Sequence, residues 1–219
     1  MADRLPLTLE RLRAEAAGFA EAQSRCAVPA LYGATDGKAI GTYLEHKFLV
    51  CLEERHVFDA GNSASGIDIP GLDLDIKATS ARQPQSSCPF RSARQKIYGL
   101  GYHLLVFMYE KTDDADAQTS SLDITHVIFV DKTRTADFQM TRGLLQIIEN
   151  DGNADDIVAF LQDKNLPVDE MEARDIADAV LGMPPLQGYL TISNALQWRL
   201  QYGRVISQAG AVAGIERVR

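Results

Sequence analysis

Residues 67–77 read IDIPGLDLDIK, an apolar and acidic alternation interrupted by Pro70-Gly71. A period of two is the signature of a strand with two unlike faces, and Pro-Gly supplies a reversal. The expected local structure is therefore a β-hairpin. With Pro70 and Gly71 in the turn, Ile69 lies opposite Leu72, Asp68 opposite Asp73, and Ile67 opposite Leu74, because cross-strand partners share a face. Ile67, Ile69, Leu72, Leu74 and Ile76 then form one face, and Asp68, Asp73, Asp75 and Lys77 the other. Pro-Gly fits a two-residue hairpin imperfectly, so a wider turn is expected.

Opposed carboxylates repel, and a hard divalent cation with oxygen ligands, such as Mg²⁺, would offset that repulsion. Lys77 follows Asp75 by one side-chain repeat, where an ammonium group could orient an attacking water or steady a developing phosphate charge. Read alone, the same pattern also describes a surface hairpin with a solvated acidic face. Asp59 is an alternative first acid, but it lies in a loop and lacks the hairpin parity.

Two further segments bear on the choice. Residues 38–55 form an amphipathic helix with Gly41, Leu44, Phe48 and Leu52 along one stripe. Glu45 falls within that stripe, so its carboxylate either pairs with a core cation or points at the acidic cluster. Downstream, residues 79–96 hold Arg82, Arg91, Arg94 and Lys96 and no acid. Arg82, Gln83, Gln85, Ser86, Ser87, Arg91, Arg94 and Lys96 are side chains of the kinds that grip phosphates and read base edges. A polar loop leading into a helix near Arg91 is the plainer reading.

Taken together, Asp68, then Asp75-Ile76-Lys77, with Glu45 on a preceding helix, resemble the PD-(D/E)XK nuclease superfamily, which includes most type II restriction endonucleases. The string Gly41-Thr42-Tyr43-Leu44-Glu45, then Gly61-Asn62, Asp68-Ile69-Pro70-Gly71-Leu72 and Asp75-Ile76-Lys77, is similar to the MutH-like endonucleases; the similarity spans residues 37–110. The resemblance implies an α/β fold with a central mixed sheet flanked by helices. It implies Asp68 and Asp75 as metal ligands, Lys77 as the water-orienting lysine, and Glu45 as a supporting or second-metal carboxylate. It also implies Mg²⁺, with Mn²⁺ as a substitute, and cleavage of double-stranded DNA to a 5′-phosphate and a 3′-hydroxyl. Asp75 stands where MutH-like enzymes usually carry Glu. Lys96 is the nearest counterpart of their later lysine, and Asp73 is outside the motif.

Other chemistries find little support. Cys26, Cys51 and Cys88 are too dispersed for a zinc or disulfide framework. His46, His56, His103 and His126 show no HExxH pairing, and no glycine-rich phosphate loop or nucleophile elbow is present. The N-terminus has no apolar signal core, and the run 102–109 is too short to span a bilayer. A soluble, cytoplasmic protein is expected.

The 219 residues, 46% hydrophobic, suit one domain with an appendage. The expected elements are a helix over 8–24, the 38–55 helix, the hairpin, a helix over 91–100, strands at 103–109 and 124–130 around an acidic loop at 112–121, and a helix over 133–150. A nuclease core of 1–150 would then carry a helical C-terminal extension, 151–219. Residues 149–178 contain ten acids against Lys164 and Arg174, which accounts for the net charge of −8 and leaves the remainder neutral. Helices near 154–164 and 169–181 have helix-turn-helix spacing, which their acidity argues against. Residues 190–208 are expected to be helical, with Trp198 and Tyr202 packed at i and i+4.

The functional expectation is a type II restriction endonuclease cutting duplex DNA at a short sequence. Cutting both strands of a symmetric site favours a homodimer, and a cognate DNA methyltransferase gene is the expected neighbour. The alternatives are a MutH-like strand-nicking repair enzyme and a catalytically idle DNA-binding protein of the same fold.

Overall fold

The structure is a computed structural model and describes residues 4–61, 66–89, 91–193 and 198–219. In chain order the elements are β1 (Leu5–Pro6), α1 (Leu9–Ser24), β2 (Ala27–Val28), α2 (Gly37–Arg55), β3 (His56–Val57), β4 (Leu74–Ser80), β5 (Gln85–Cys88), α3 (Gln95–Tyr98), β6 (His103–Asp114), β7 (Thr119–Val130), α4 (Phe138–Glu149), α5 (Ala154–Asp163), α6 (Glu170–Gly182), β8 (Thr191–Ile192), β9 (Trp198–Gln201), α7 (Gly203–Gln208) and β10 (Ile215–Arg217). They divide into two compact units. One holds residues 1–86, 103–130 and 208–219, and the other 87–102 and 131–207. The last residues return as β10 to the main sheet of the first unit.

That sheet is mixed, in the order β10–β7–β6–β4, with β2 also pairing with β7. β4 runs parallel to β6, while β6–β7 and β7–β10 are antiparallel. The apolar run 103–109 is buried throughout as the inner strand β6, as its unbroken hydrophobicity requires. Helices α1 and α2 bury their stripes on the sheet: Leu12, Ala16 and Ala20 from one, Leu44, Phe48 and Leu52 from the other, are wholly buried. Phe48 and Phe107 meet edge to face with ring centroids 5.0 Å apart. The expected loop at 112–121 is instead the far end of a long β6–β7 hairpin. Its polar residues satisfy one another across the strands: Ser120 donates to Asp113 at 2.6 Å, and the Asp114 carboxylate accepts from the amides of Asp116 and Ala117, both at 3.0 Å.

The second unit packs α3, α4, α5 and α6 around Ile97, Leu144, Ile157, Leu161, Ile176 and Val180. Several acids of the 149–178 segment have structural work: Asp156 completes a capping box with Asn153, and Asp169 caps α6 by accepting from Glu172 N at 2.8 Å, worth about 1 kcal/mol per cap. Asp137 caps α4, so that helix begins at Phe138 and not at 133. The helix expected over 91–100 shrinks to the single turn α3, closed by Gly99 at φ 91°. The single helix expected over 190–208 gives way, among the described residues of that span, to β8 paired antiparallel with β9, followed by α7 as its only helical part. Trp198, Leu200 and Tyr202 are buried alternately with exposed Arg199 and Gln201, so the segment follows a strand period and not a helical one.

Candidate active site

The site is built on β4, an edge strand of the first unit's sheet. An edge strand exposes a row of unpaired amides, and on β4 these are met in three ways. Leu74 exchanges backbone hydrogen bonds with Ile69, at 3.0 and 3.2 Å. Ile76 N donates to Asp68 Oδ2 at 2.7 Å, and Ala78 N donates to Glu45 Oε1 at 3.0 Å. Two carboxylates thus take the places that a neighbouring strand would fill, and this fixes both of them along the strand.

The Ile69–Leu74 pairing corrects the expected hairpin register. Residues 70–73 form the reversal, with Pro70–Leu72 in a 3-10 turn and Asp73 left-handed at φ 47°. Ile69 therefore pairs with Leu74, both wholly buried, in place of Leu72, and Asp68 is brought beside Asp75 in place of Asp73. The shift is by two residues, so the facing predicted from parity survives. Asp73 lies exposed in the turn, and its carbonyl accepts from His103 N at 2.6 Å. Gly61 N donates to the Asp68 carbonyl at 2.7 Å; Asn62, the other residue of that motif string, lies outside the described residues. Asp59 is exposed.

Asp75 is 5% exposed, and Lys77 Nζ lies 2.7 Å from its Oδ2. Burial is the main reason that the Asp75 carboxyl is pushed up to about 7; the Lys77 ammonium pulls against it and the adjacent Asp68 adds to it. Burial likewise raises Glu45, opposed by Lys77 and by the hydrogen bond from Ala78. For Lys77, burial alone would lower the ammonium, but the charges of Asp75, Glu45 and Asp68 outweigh it and hold the group above the ordinary lysine value. The cluster holds three acids around one lysine, a deficit of positive charge in a poorly solvated place.

Asp68 and Asp75 are the side chains able to hold a cation. No group of three or more His, Cys, Asp or Glu side chains forms a metal cage among the described residues. Two adjacent carboxylates fit Mg²⁺, which keeps much of its water and takes one or two protein carboxylates. Glu45 and Asp68 each give one oxygen to a strand amide and keep the other, but it is Asp68 that adjoins Asp75, which leaves Glu45 the supporting carboxylate.

The sequence sets Gly41 on the helix stripe and in the motif string but does not reveal its role. A Cβ there would stand 2.9 Å from the Ala78 carbonyl oxygen, so α2 can lie close enough for Glu45 to reach the neighbouring amide only with glycine at that position. Its signal is a glycine inside a helix stripe, where it costs about 1 kcal/mol relative to alanine without a packing reason.

The Arg-rich segment 79–96 is divided between the units after Ser86. In the first unit Arg82 and Gln83 are exposed, and Gln85 and Ser86 half-buried. In the second, Ser87 and Arg91 are exposed and Arg94 half-buried, while Lys96 is 4% exposed with its Nζ 5.6 Å from the Trp198 ring centroid. Burial lowers the Lys96 ammonium, with Asp137 opposing.

Comparison with known proteins places these residues in context. A family profile described as "Type II restriction enzyme NspV" matches residues 6–217. The type II restriction enzyme NspV of Nostoc sp. (strain ATCC 29411 / PCC 7524) is 62% identical over 209 residues, 95% of each chain. No solved structure matches. No helix among the described residues is long and apolar enough to cross a membrane.

Proposed function

Because the chain belongs to the NspV family of type II restriction enzymes and is thus a restriction endonuclease, we propose that it hydrolyses phosphodiester bonds of double-stranded DNA at the edge of β4, within a PD-(D/E)XK-type core. The observation that carries this reading is the joining of Asp68, Asp75 and Lys77 on one strand edge, with Lys77 Nζ 2.7 Å from Asp75 Oδ2. Asp68 and Asp75 would hold Mg²⁺, or Mn²⁺ in its place, and such an ion would supply Lewis acidity and a more acidic bound water.

The protein's own groups do the rest. Lys77, held protonated between carboxylates, orients the attacking water and stabilises charge developing on the phosphate. Glu45 secures β4 through Ala78 N, and Asp68 does so through Ile76 N. The strand that carries Asp75 and Lys77 is therefore positioned before substrate arrives. Arg82, Gln83, Gln85, Ser86, Ser87, Arg91 and Arg94 supply phosphate and base contacts. The products are a 5′-phosphate and a 3′-hydroxyl. A homodimer cuts both strands of a symmetric site, and a methyltransferase encoded nearby protects the host sequence.

The test is digestion of unmethylated plasmid with Mg²⁺ and with EDTA, with sequencing of the cut ends. Discrete fragments with 5′-phosphates, appearing only with the metal, are expected. Absence of cleavage with both Mg²⁺ and Mn²⁺ on a plasmid carrying all short sequences would refute the reading.

A further inference from the structure

We propose that Thr79 is a positioning residue for sequence recognition: it ties the turn of residues 81–85 to the strand that bears Asp75 and Lys77. The inference rests on reading Arg82 and Gln83 as DNA contacts. Side chains two residues apart on a strand share a face, so Thr79 continues the row of Asp75 and Lys77, about 13 Å from Asp75 at two side-chain repeats. It is 5% exposed. Its hydroxyl donates to the Gln85 carbonyl at 2.9 Å, with a longer contact to the Gln83 carbonyl at 3.4 Å, and accepts from Gln85 N at 3.2 Å. One side chain therefore satisfies both backbone groups of Gln85, as a partner strand would.

The start of the turn is held as well. Ala81 N donates to the Tyr109 carbonyl at 2.8 Å, which extends the β4–β6 ladder by one residue, and Arg82 N donates to the Ser80 hydroxyl at 3.3 Å. Pro84 restricts the backbone between these anchors. Arg82 and Gln83 are the exposed residues at the turn, and they are the side-chain types that form paired hydrogen bonds with guanine and adenine edges in the major groove. Because the turn is tied to the catalytic strand, a side chain that fits its base also sets the strand against the backbone being cut. Loosening the tie would cost discrimination as well as rate, and metal use would be unaffected.

Thr79→Val removes the hydroxyl and keeps the branched shape; Thr79→Ser keeps the hydroxyl. Both variants, together with Arg82→Ala and Gln83→Ala, are used to cleave a randomised duplex library with Mg²⁺, and the cut ends are sequenced to give the preference at each base position. Thr79→Val is expected to lose about tenfold or more of its discrimination at one or more positions, at an unchanged Mg²⁺ midpoint, with Thr79→Ser close to wild type. Arg82→Ala or Gln83→Ala should relax the same positions. If Thr79→Val keeps full discrimination while Arg82→Ala or Gln83→Ala loses it, the inference fails and the DNA-contact reading stands. If neither Arg82→Ala nor Gln83→Ala changes any preference, both fail. Should Thr79→Val not fold, Thr79→Ala, which adds no bulk, is read in the same way.

Discussion

Lys77 and Lys96 are both largely buried, yet their surroundings drive them in opposite directions. Burial opposes the charge of each. Around Lys77 three carboxylates reverse that effect and hold the ammonium protonated. Around Lys96 the opposing charge is that of Asp137, burial prevails, and the ammonium is lowered. Asp137 already accepts from Met140 N and Ile192 N at the head of α4, so its charge is shared. The lesson is that burial alone does not mark a chemically useful lysine; the density of carboxylates beside it does. One ammonium sits among carboxylates, and the other lies 5.6 Å from the centroid of a tryptophan ring.

The sharpest way to break this contrast is to remove each lysine. Lys77→Ala should lower kcat by about 10²–10³-fold or more, whereas Lys96→Ala should leave kcat within about tenfold, any loss following stability. Equal losses from the two, measured by single-turnover cleavage, would erase the distinction. Next in size is Gly41→Ala. The added methyl meets the Ala78 carbonyl oxygen, so α2 must withdraw and Glu45 must release Ala78 N. A stability loss of about 1–3 kcal/mol and a drop in kcat without a matching rise in KM are expected; an unaltered kcat would show that Glu45 does not position β4.

The pH dependence tests the acidic side of the contrast. With Asp75 raised from 3.8 to about 7 in the folded protein, the native state retains a proton that the unfolded chain has lost. This contribution to stability is complete below pH 3.8 and disappears as pH rises through 7. In EDTA, the thermal midpoint of wild type should therefore fall between pH 5 and 8 more steeply than that of Asp75→Asn. Mg²⁺ should restore more of it at pH 8 than at pH 6. Parallel profiles would mean that Asp75 is not destabilised by its ionisation. The smallest expected effect is at Lys96: Lys96→Met removes a charge that its surroundings disfavour and should raise the midpoint at pH 7 by about 2–4 °C per kcal/mol relieved. A fall would mean that the contact with Trp198 outweighs burial.

Much of the site was legible because it rests on a strand period. The alternation over residues 67–77 gave the facing of Asp68, Asp75 and Lys77, and parity survived a register shift that reassigned the partner of Asp68 from Asp73 to Asp75. The shift itself was hidden, because the length of a Pro-Gly reversal depends on whether Asp73 adopts a left-handed conformation, which local composition does not decide. The Glu45 stripe was legible as an acid on a buried face, but its partner, a backbone amide 33 residues away, leaves no mark in side-chain patterns. Lys96 misleads for a related reason: an acid-free run of Arg, Gln and Ser looks uniformly exposed, and burial of its last lysine depends on Trp198, a hundred residues further on. In the fold, α1, α2, α5 and α6 lie within a residue or two of the expected bounds, whereas α4 starts five residues after the expected 133, where Asp137 caps it. The tail was not legible, because Trp198, Leu200 and Tyr202 fit a period of two over too short a span to outweigh the helical content around them.

The most direct measurement is the Mg²⁺ dependence of single-turnover cleavage for wild type, Asp75→Asn and Glu45→Gln, each verified as folded. Asp75→Asn is expected to show no cleavage at any Mg²⁺ concentration, since half of the carboxylate pair is gone. Glu45→Gln, which keeps an oxygen to accept from Ala78 N, should cleave with an Mg²⁺ midpoint within about tenfold of wild type. Cleavage by Asp75→Asn at a rate comparable to wild type would contradict the assignment of the Asp68 and Asp75 pair as the metal-holding centre.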